Sequence, residues 1–206
     1  MVLGVNTFLY TSRFTDESAG IFPRIAAAGF SGVEITLQEP GDFDPGRVRA
    51  ALESNGLACL SLCGLLGDGR DLRGNREEQE TSRRFLEYCI DTASGLGCAL
   101  VSGPLYSRVG RAAYEDPEAR ERQLETAAGH LRGLCDYAEE RGVTLGIEPL
   151  IRFETDLVNT CEDALGLLER VGRKSIGVHL DTFHMNVEEL DRSEEHTSEL
   201  QSLLII

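Results

Sequence analysis

Five times along this chain a helix-like segment ends in a glycine, and a short apolar, β-branched run follows at once. Gly29 precedes FSGVEI, Gly56 precedes LACLSL, Gly97 precedes CALVSG, Gly142 precedes VTLGIE, and Gly172 stands before SIGVHL. Glycine just past a last helical turn supplies a left-handed C-cap without steric cost. Helix starts are marked as well. Asp44-Pro45 and Asp116-Pro117 each place an N-cap acid before a first-turn proline, and Thr160 with Asp163 has capping-box spacing. Strands alternating with helices imply βα units and a parallel sheet. The pattern predicts strands near 2–8, 32–36, 57–63, 98–102, 143–148 and 175–180. Helices are predicted near 16–28, 45–54, 76–96, 117–140 and 161–170, the first starting late or kinked because of Pro23.

Six strands and five complete crossovers leave two folds to choose between. A doubly wound open sheet usually carries a glycine-rich phosphate turn after its first strand. Here that strand is followed by NTFLYTSRFTDE, which has none. The loops after the strands are also longer than those before them, as where a (β/α)8 barrel builds its site. The predicted fold is therefore α/β, a TIM barrel, represented by about six βα units over residues 1–190.

At 206 residues and 41% hydrophobic, the chain can bury a substantial core. A net charge of -15 argues against duplex nucleic acid as a partner, because phosphate contacts need a basic surface. No apolar run is long enough for a membrane span, and MVLGVNTFLYTSR lacks the basic start and apolar stretch of a secretory signal. A cytoplasmic location is expected. The six cysteines form no C-x-x-C pair and sit mostly in apolar runs, as buried reduced thiols do. Cys59 and Cys63, on one face of a predicted strand, are the weaker zinc alternative.

Two strands end in acids. Ile176, Val178 and Leu180 alternate up to Asp181, with His184 three residues on. VTLGIE ends on Glu148, with Glu154 six residues further. A carboxylate at the end of an apolar strand is costly to desolvate unless a charge holds it. Acids closing two such strands point to a divalent-cation or sugar site at one end of the sheet. Hard oxygen donors with one imidazole suit Mn²⁺, Mg²⁺ or Co²⁺. Without a cation the carboxylates would repel, and one would stay protonated. Each residue also has a structural reading. Glu148 would pair with Arg152, though its place before Pro149 favours a ligand. Asp181 would cap the next helix, but that helix is expected near Asn186, too far along. His184 alone fits a packed ring as well as a site residue, and Glu154 a solvated loop acid. Glu34 is expected to be a buried, hydrogen-bonded acid rather than a pocket group. Asn6 and Tyr106 are placed at strand ends facing the pocket, and GDGRDLRG is a lid or an anion loop built on its arginines.

GIEPLIRFETDLVNT and GVHLDTFHMN resemble the sugar phosphate isomerase/epimerase superfamily with the xylose isomerase-like barrel, in its D-tagatose/D-psicose 3-epimerase branch. GVNTFLYT, GFSGVEI and GPLYSRVGR fit the same branch. The resemblance implies a metal-dependent enzyme that epimerises or isomerises a ketose through a cis-enediolate. It implies that Glu148 is a metal ligand and one of two acid/base carboxylates, and that Asp181 is a second ligand. Glu154 and His184 would hold the sugar oxygens near C1 and C2. Two further ligands, a His and a Glu, and a substrate-binding Arg come from strands seven and eight of the family. Nothing in this sequence matches them.

Residues 192–202, RSEEHTSELQS, look like a translated sequencing adapter, so residues 191–206 are expected to be an extraneous tail on a truncated and inactive barrel. Open edges at strands one and six would then favour poor solubility or self-association into a homo-oligomer. The rival readings share the scaffold. Hydroxypyruvate isomerase and inosose dehydratase share the metal logic. An abasic-site endonuclease would need more His and Asp ligands and a basic face, against four histidines and an acidic balance here.

Overall fold

The structure is a computed structural model that describes residues 2–113 and 116–189, together with the backbone of residues 203–205. One parallel sheet runs in chain order through β1 (Gly4–Asn6), β2 (Gly32–Leu37), β3 (Ala58–Gly64), β4 (Leu100–Gly103), β5 (Thr144–Ile147), β6 (Ile176–Leu180) and β7 (Leu203–Ile205). Helices α1 (Phe22–Ala27), α2 (Pro45–Ser54), α3 (Arg76–Leu96), α4 (Pro117–Glu139) and α5 (Cys161–Val171) connect the first six strands in turn. Strand order equal to chain order, with a helix at every crossover, is the arrangement of a βα barrel.

The local signals act as expected. Asp44 accepts from the Arg47 N–H at 2.8 Å and Asp116 from the Ala119 N–H at 2.9 Å, so both helices start on their prolines. Thr160 and Asp163 close a capping box on α5. All five marker glycines have positive φ. At Gly97 (φ 72°) and Gly172 (φ 61°) this left-handed turn ends α3 and α5, and a side chain there would be strained. Pro23 delays the first helix. Residues Asp16–Ile21 form 3-10 turns, and α1 begins only at Phe22.

Helix faces explain the packing. On α3, Phe85, Leu86, Cys89, Ile90 and Ala93 are buried, and on α4 so are Leu124, Ala128, Leu131, Cys135 and Ala138. These stripes pack with Ile35, Leu62, Val101, Leu145 and Val178 of the sheet in one continuous core. A fully buried Leu, Ile or Phe contributes roughly 1.5–3 kcal/mol relative to exposure. That apolar layer holds the strand ends, and with them the loops beyond, in a fixed arrangement.

Two expectations are corrected. The sheet has seven strands rather than six, because Leu203, Leu204 and Ile205 stand in parallel register with Val178, His179 and Leu180. The backbone of β7 satisfies the edge of β6 that was expected to stay bare. A helix also begins directly after β6: α6 spans Thr182–Glu188, not a segment starting near 186. Residues 190–202 and 206, most of the expected extraneous tail, lie outside the described residues. No helix among the described residues is long and apolar enough to cross a membrane.

Candidate active site

β5 and β6 lie side by side with Ile147 opposite Val178. The next residues, Glu148 and His179, therefore come level, and Asp181 follows on the same face of β6 by the two-residue alternation of a strand. Gly146 makes room for this arrangement. A Cβ there would stand 3.1 Å from the Ser102 Cβ and 3.5 Å from that of His179. Above these residues opens a cavity of about 740 Å³, walled by Glu148, Glu154, His179, Asp181, His184 and Glu34 among others.

Asp181 has two roles. Its Oδ1 accepts from the Phe183 N–H at 2.6 Å, capping α6. The helix starts early enough for the cap that the expected start had excluded. Its Oδ2 lies 4.0 Å from His184 Nε2, on the site side. His184 is buried, and its Nδ1 accepts from the Ile151 N–H at 3.2 Å. The neutral ring therefore carries its proton on Nε2. That nitrogen stands 3.8 Å from Glu148 Oε1. One ligand atom from each of Glu148, Asp181 and His184 lies within 4.8 Å of the others. The two strand-end acids thus converge.

Glu148 is 8% exposed, and no donor among the described residues reaches its carboxylate. Burial, reinforced by the charges of Asp181, Glu34 and Glu154, pushes its carboxyl up to about 8. It is the member of the group that holds its proton, as expected for converging acids without a cation. A desolvated carboxylate without hydrogen bonds beside a second acid fits a divalent cation, because positive charge would offset both penalties. Glu148 and Asp181 supply hard oxygen donors. The proton on His184 Nε2 makes that residue a hydrogen-bond donor rather than a ligand.

The structural alternative for Glu148 is overturned. Arg152 points away and pairs with Glu188 at 2.7 Å. Glu154 is half-buried in the turn after β5, where its N–H donates to the Ile151 carbonyl at 2.8 Å and its side chain borders the cavity. Glu34 is both of the things it was weighed as. It accepts from Asn6 Nδ2 at 2.5 Å and Ser61 Oγ at 2.7 Å, and it also borders the cavity. Burial raises its carboxyl.

Other expectations fail. Asn6 reaches the cavity, but Tyr106 does not. It is fully buried, and its hydroxyl donates to the Glu148 and Val158 carbonyls at 3.1 Å, tying the turn after β5 to the loop after β4. The arginines of GDGRDLRG are already committed. Arg70 donates to the Gln38 carbonyl at 2.7 Å and lies over the Phe85 ring, and Arg73 is enclosed by four partners, so the loop offers no anion site. All six cysteines are buried, and none forms a disulfide among the described residues. The grouping of potential metal ligands among the described residues contains none of them. The reading from sequence passed over His179, 7% exposed, which burial pushes down to about 4. Its signal was present: 177, 179 and 181 share a face of β6.

Comparison with known proteins places these residues in context. A family model described as the xylose isomerase-like TIM barrel matches residues 22–203. The chain is 31% identical over 193 residues to a ketose 3-epimerase of Arthrobacter globiformis, covering 93% of this chain and 65% of that protein. It is 31% identical over 190 residues to an L-ribulose 3-epimerase of Mesorhizobium japonicum, covering 92% and 63%. The chain thus spans a little under two thirds of the length of these relatives. Among solved structures, an L-ribulose 3-epimerase superposes with a TM-score of 0.85 at 28% identity, covering 93% of this chain and 64% of that one. A D-allulose 3-epimerase from Methylomonas sp. also gives 0.85, at 26% identity, covering 92% and 66%.

Proposed function

The chain belongs to the xylose isomerase-like TIM-barrel family, and from that premise we propose that it carries the site of a metal-dependent ketose 3-epimerase. The observation that carries this reading is Glu148, a strand-end carboxylate, buried and without a donor among the described residues, that converges with Asp181 and His184. The named activities of the similar proteins support the substrate class, a small ketose sugar.

The carbon beside a ketose carbonyl carries a weakly acidic proton. Epimerisation removes it from one face and returns one to the other. Glu148 is the base that takes it. Its raised pKa means that the metal-free site holds the carboxyl largely protonated below pH 8, so ionisation must be assisted. A divalent cation held by Glu148 and Asp181 would supply that assistance, and would favour negative charge on the sugar oxygens. His184 presents Nε2–H to a ketose oxygen, with its ring fixed by the Ile151 N–H. Glu154, on the cavity wall, accepts from a hydroxyl. Loss of the C3 proton leaves an enediolate across C2 and C3, and protonation from the opposite face inverts the centre. That second step needs another carboxyl, which the family takes from strand eight.

Binding is tested on the chain itself by titrating Mn²⁺ and following its electron spin resonance signal. Glu148→Gln and Asp181→Asn should each weaken binding at least about tenfold. Chemistry is tested on the chain completed to the length of its relatives, by proton NMR in deuterated water with D-fructose, D-tagatose or D-psicose. Uptake of deuterium at C3 is expected. No uptake with any of these sugars by a folded, Mn²⁺-loaded protein overturns the epimerase reading.

A further inference from the structure

One polar group at the site is left over by this chemistry. His179 is 7% exposed, and its Nδ1 is buried without a hydrogen-bond partner among the described residues. A ring nitrogen left so has given up its bond to water and gained none in return. The β5–β6 register sets it level with Glu148, and Nδ1 lies 3.8 Å from Glu148 Oε2. The other carboxylate oxygen, Oε1, lies 3.8 Å from His184 Nε2. Glu148 is therefore bracketed by two imidazoles, one for each oxygen. Both gaps are just beyond hydrogen-bond range, so a small torsion of the glutamate closes either one.

We propose that His179 is a positioning residue for Glu148: its Nδ1–H is donated to Glu148 Oε2, which fixes the rotation of the carboxylate and leaves Oε1 to face Asp181 and the cavity. The inference rests on the reading of Glu148 as the reacting carboxylate. It also fixes the tautomer. Against the ionised carboxylate, the form that takes part in the chemistry, a lone pair on Nδ1 would face the lone pairs of an oxygen, so the proton belongs on Nδ1 and the free acceptor is Nε2. The two site histidines are then opposite tautomers. Ile151 holds His184 as the Nε2–H form, and Glu148 holds His179 as the Nδ1–H form. The two oxygens of Glu148 consequently differ in duty, one held by the scaffold and one presented to the chemistry.

The direct test is a long-range nitrogen–proton NMR spectrum of the metal-free chain with labelled imidazoles at about pH 10, where Glu148 is ionised. The sequence has four histidines, so the spectrum is tractable. The His179 signal is assigned by its loss in His179→Asn, or by contacts to the Gly146 protons if that variant does not fold. The expected pattern is Nδ1–H; an Nε2–H pattern overturns the proposal whether or not the chain binds a cation or turns over a sugar. A second measurement separates positioning from packing. Asn places an N–H where Nδ1 stands, Gln places one where Nε2 stands, and Met keeps only the volume. Mn²⁺ affinity close to native in His179→Asn, with losses of roughly tenfold or more in His179→Gln and His179→Met, is expected. Retention by Gln or Met with loss in Asn overturns it. If the native chain takes no Mn²⁺, the proposed function fails and the tautomer alone decides this inference.

Discussion

Two buried charged clusters stand among the loops at the strand ends, and they are built on opposite terms. Around Arg73, 5% exposed, all three guanidinium nitrogens are used: they bond Ser107 at 2.9 Å, Gln123 at 2.8 Å, the Arg111 carbonyl at 2.9 Å, and Asp156. These partners come from the loops after β4 and β5 and from α4, so one side chain ties three segments to the loop after β3. Around Glu148, also buried, no donor among the described residues bonds the carboxylate, and the neighbouring His179 has an Nδ1 with no partner among them. Desolvated charge is tolerated when it is paired and hydrogen-bonded. The first cluster meets that condition within the chain and serves structure. The second does not, and the missing partner has to come from outside.

The largest effect expected on stability follows from breaking the satisfied cluster. Arg73→Met should cost about 3–5 kcal/mol in urea denaturation, because Asp156 loses its cation and Ser107, Gln123 and the Arg111 carbonyl lose a buried donor, while Asp71 keeps Arg111. A loss under about 1 kcal/mol would erase the contrast.

The unsatisfied cluster should respond with the opposite sign. Burial and neighbouring acids raise the Glu148 carboxyl to about 8, so the folded state resists its ionisation. Below the unfolded-state value both states are protonated and nothing is lost. As pH rises from there through about 8, stability falls, and above that the penalty is constant. With chelator present, Glu148→Gln should match the native chain near pH 4 and be more stable at pH 9, by roughly 2–4 kcal/mol. Thermal melts across that range check it. A variant that is less stable at pH 9 would mean that the fold favours the ionised carboxylate of Glu148 rather than penalising it.

Asp181 sharpens the comparison, since it belongs to both worlds. Asp181→Asn keeps an oxygen for the Phe183 N–H and should hold native stability while losing Mn²⁺ affinity. Asp181→Ala should lose the affinity and also about 1 kcal/mol of cap. Equal stability of the two variants would remove the capping role. The smallest effect is expected at Arg152. Its partner is Glu188 rather than Glu148, so Arg152→Ala should leave Mn²⁺ affinity and the fall of stability toward pH 8 unchanged.

Much of this was legible from residues in order, for reasons particular to each. α2 and α3 fall at their predicted limits because their caps are local chemistry: Asp44 before Pro45, Asn75 before a Glu at the third position, Gly97 after the last turn. Glu148 and Asp181 were found because an acid ending an apolar strand is conspicuous in one dimension. The cap role of Asp181 was set aside because the next helix was expected near Asn186; α6 starts at Thr182, and one carboxylate serves both the cap and the site. Tyr106 and the two loop arginines were misread because their partners lie far along the chain, at Val158 for Tyr106 and at Gln38 and Asp156 for the arginines. His179 was overlooked because a histidine inside a strand looks like packing until its neighbour on β5 is known.

Sequence by itself determined the order and kind of the elements, since capping, glycine turns and two-residue alternation act over a few residues and need no distant partner. Only the tertiary structure decided which charges are satisfied. Whether a buried group has a partner depends on register between strands and on which loops meet at the rim. Glu148 has no cationic partner among the described residues because the fold sets it level with His179, near Asp181, and turns Arg152 away toward Glu188.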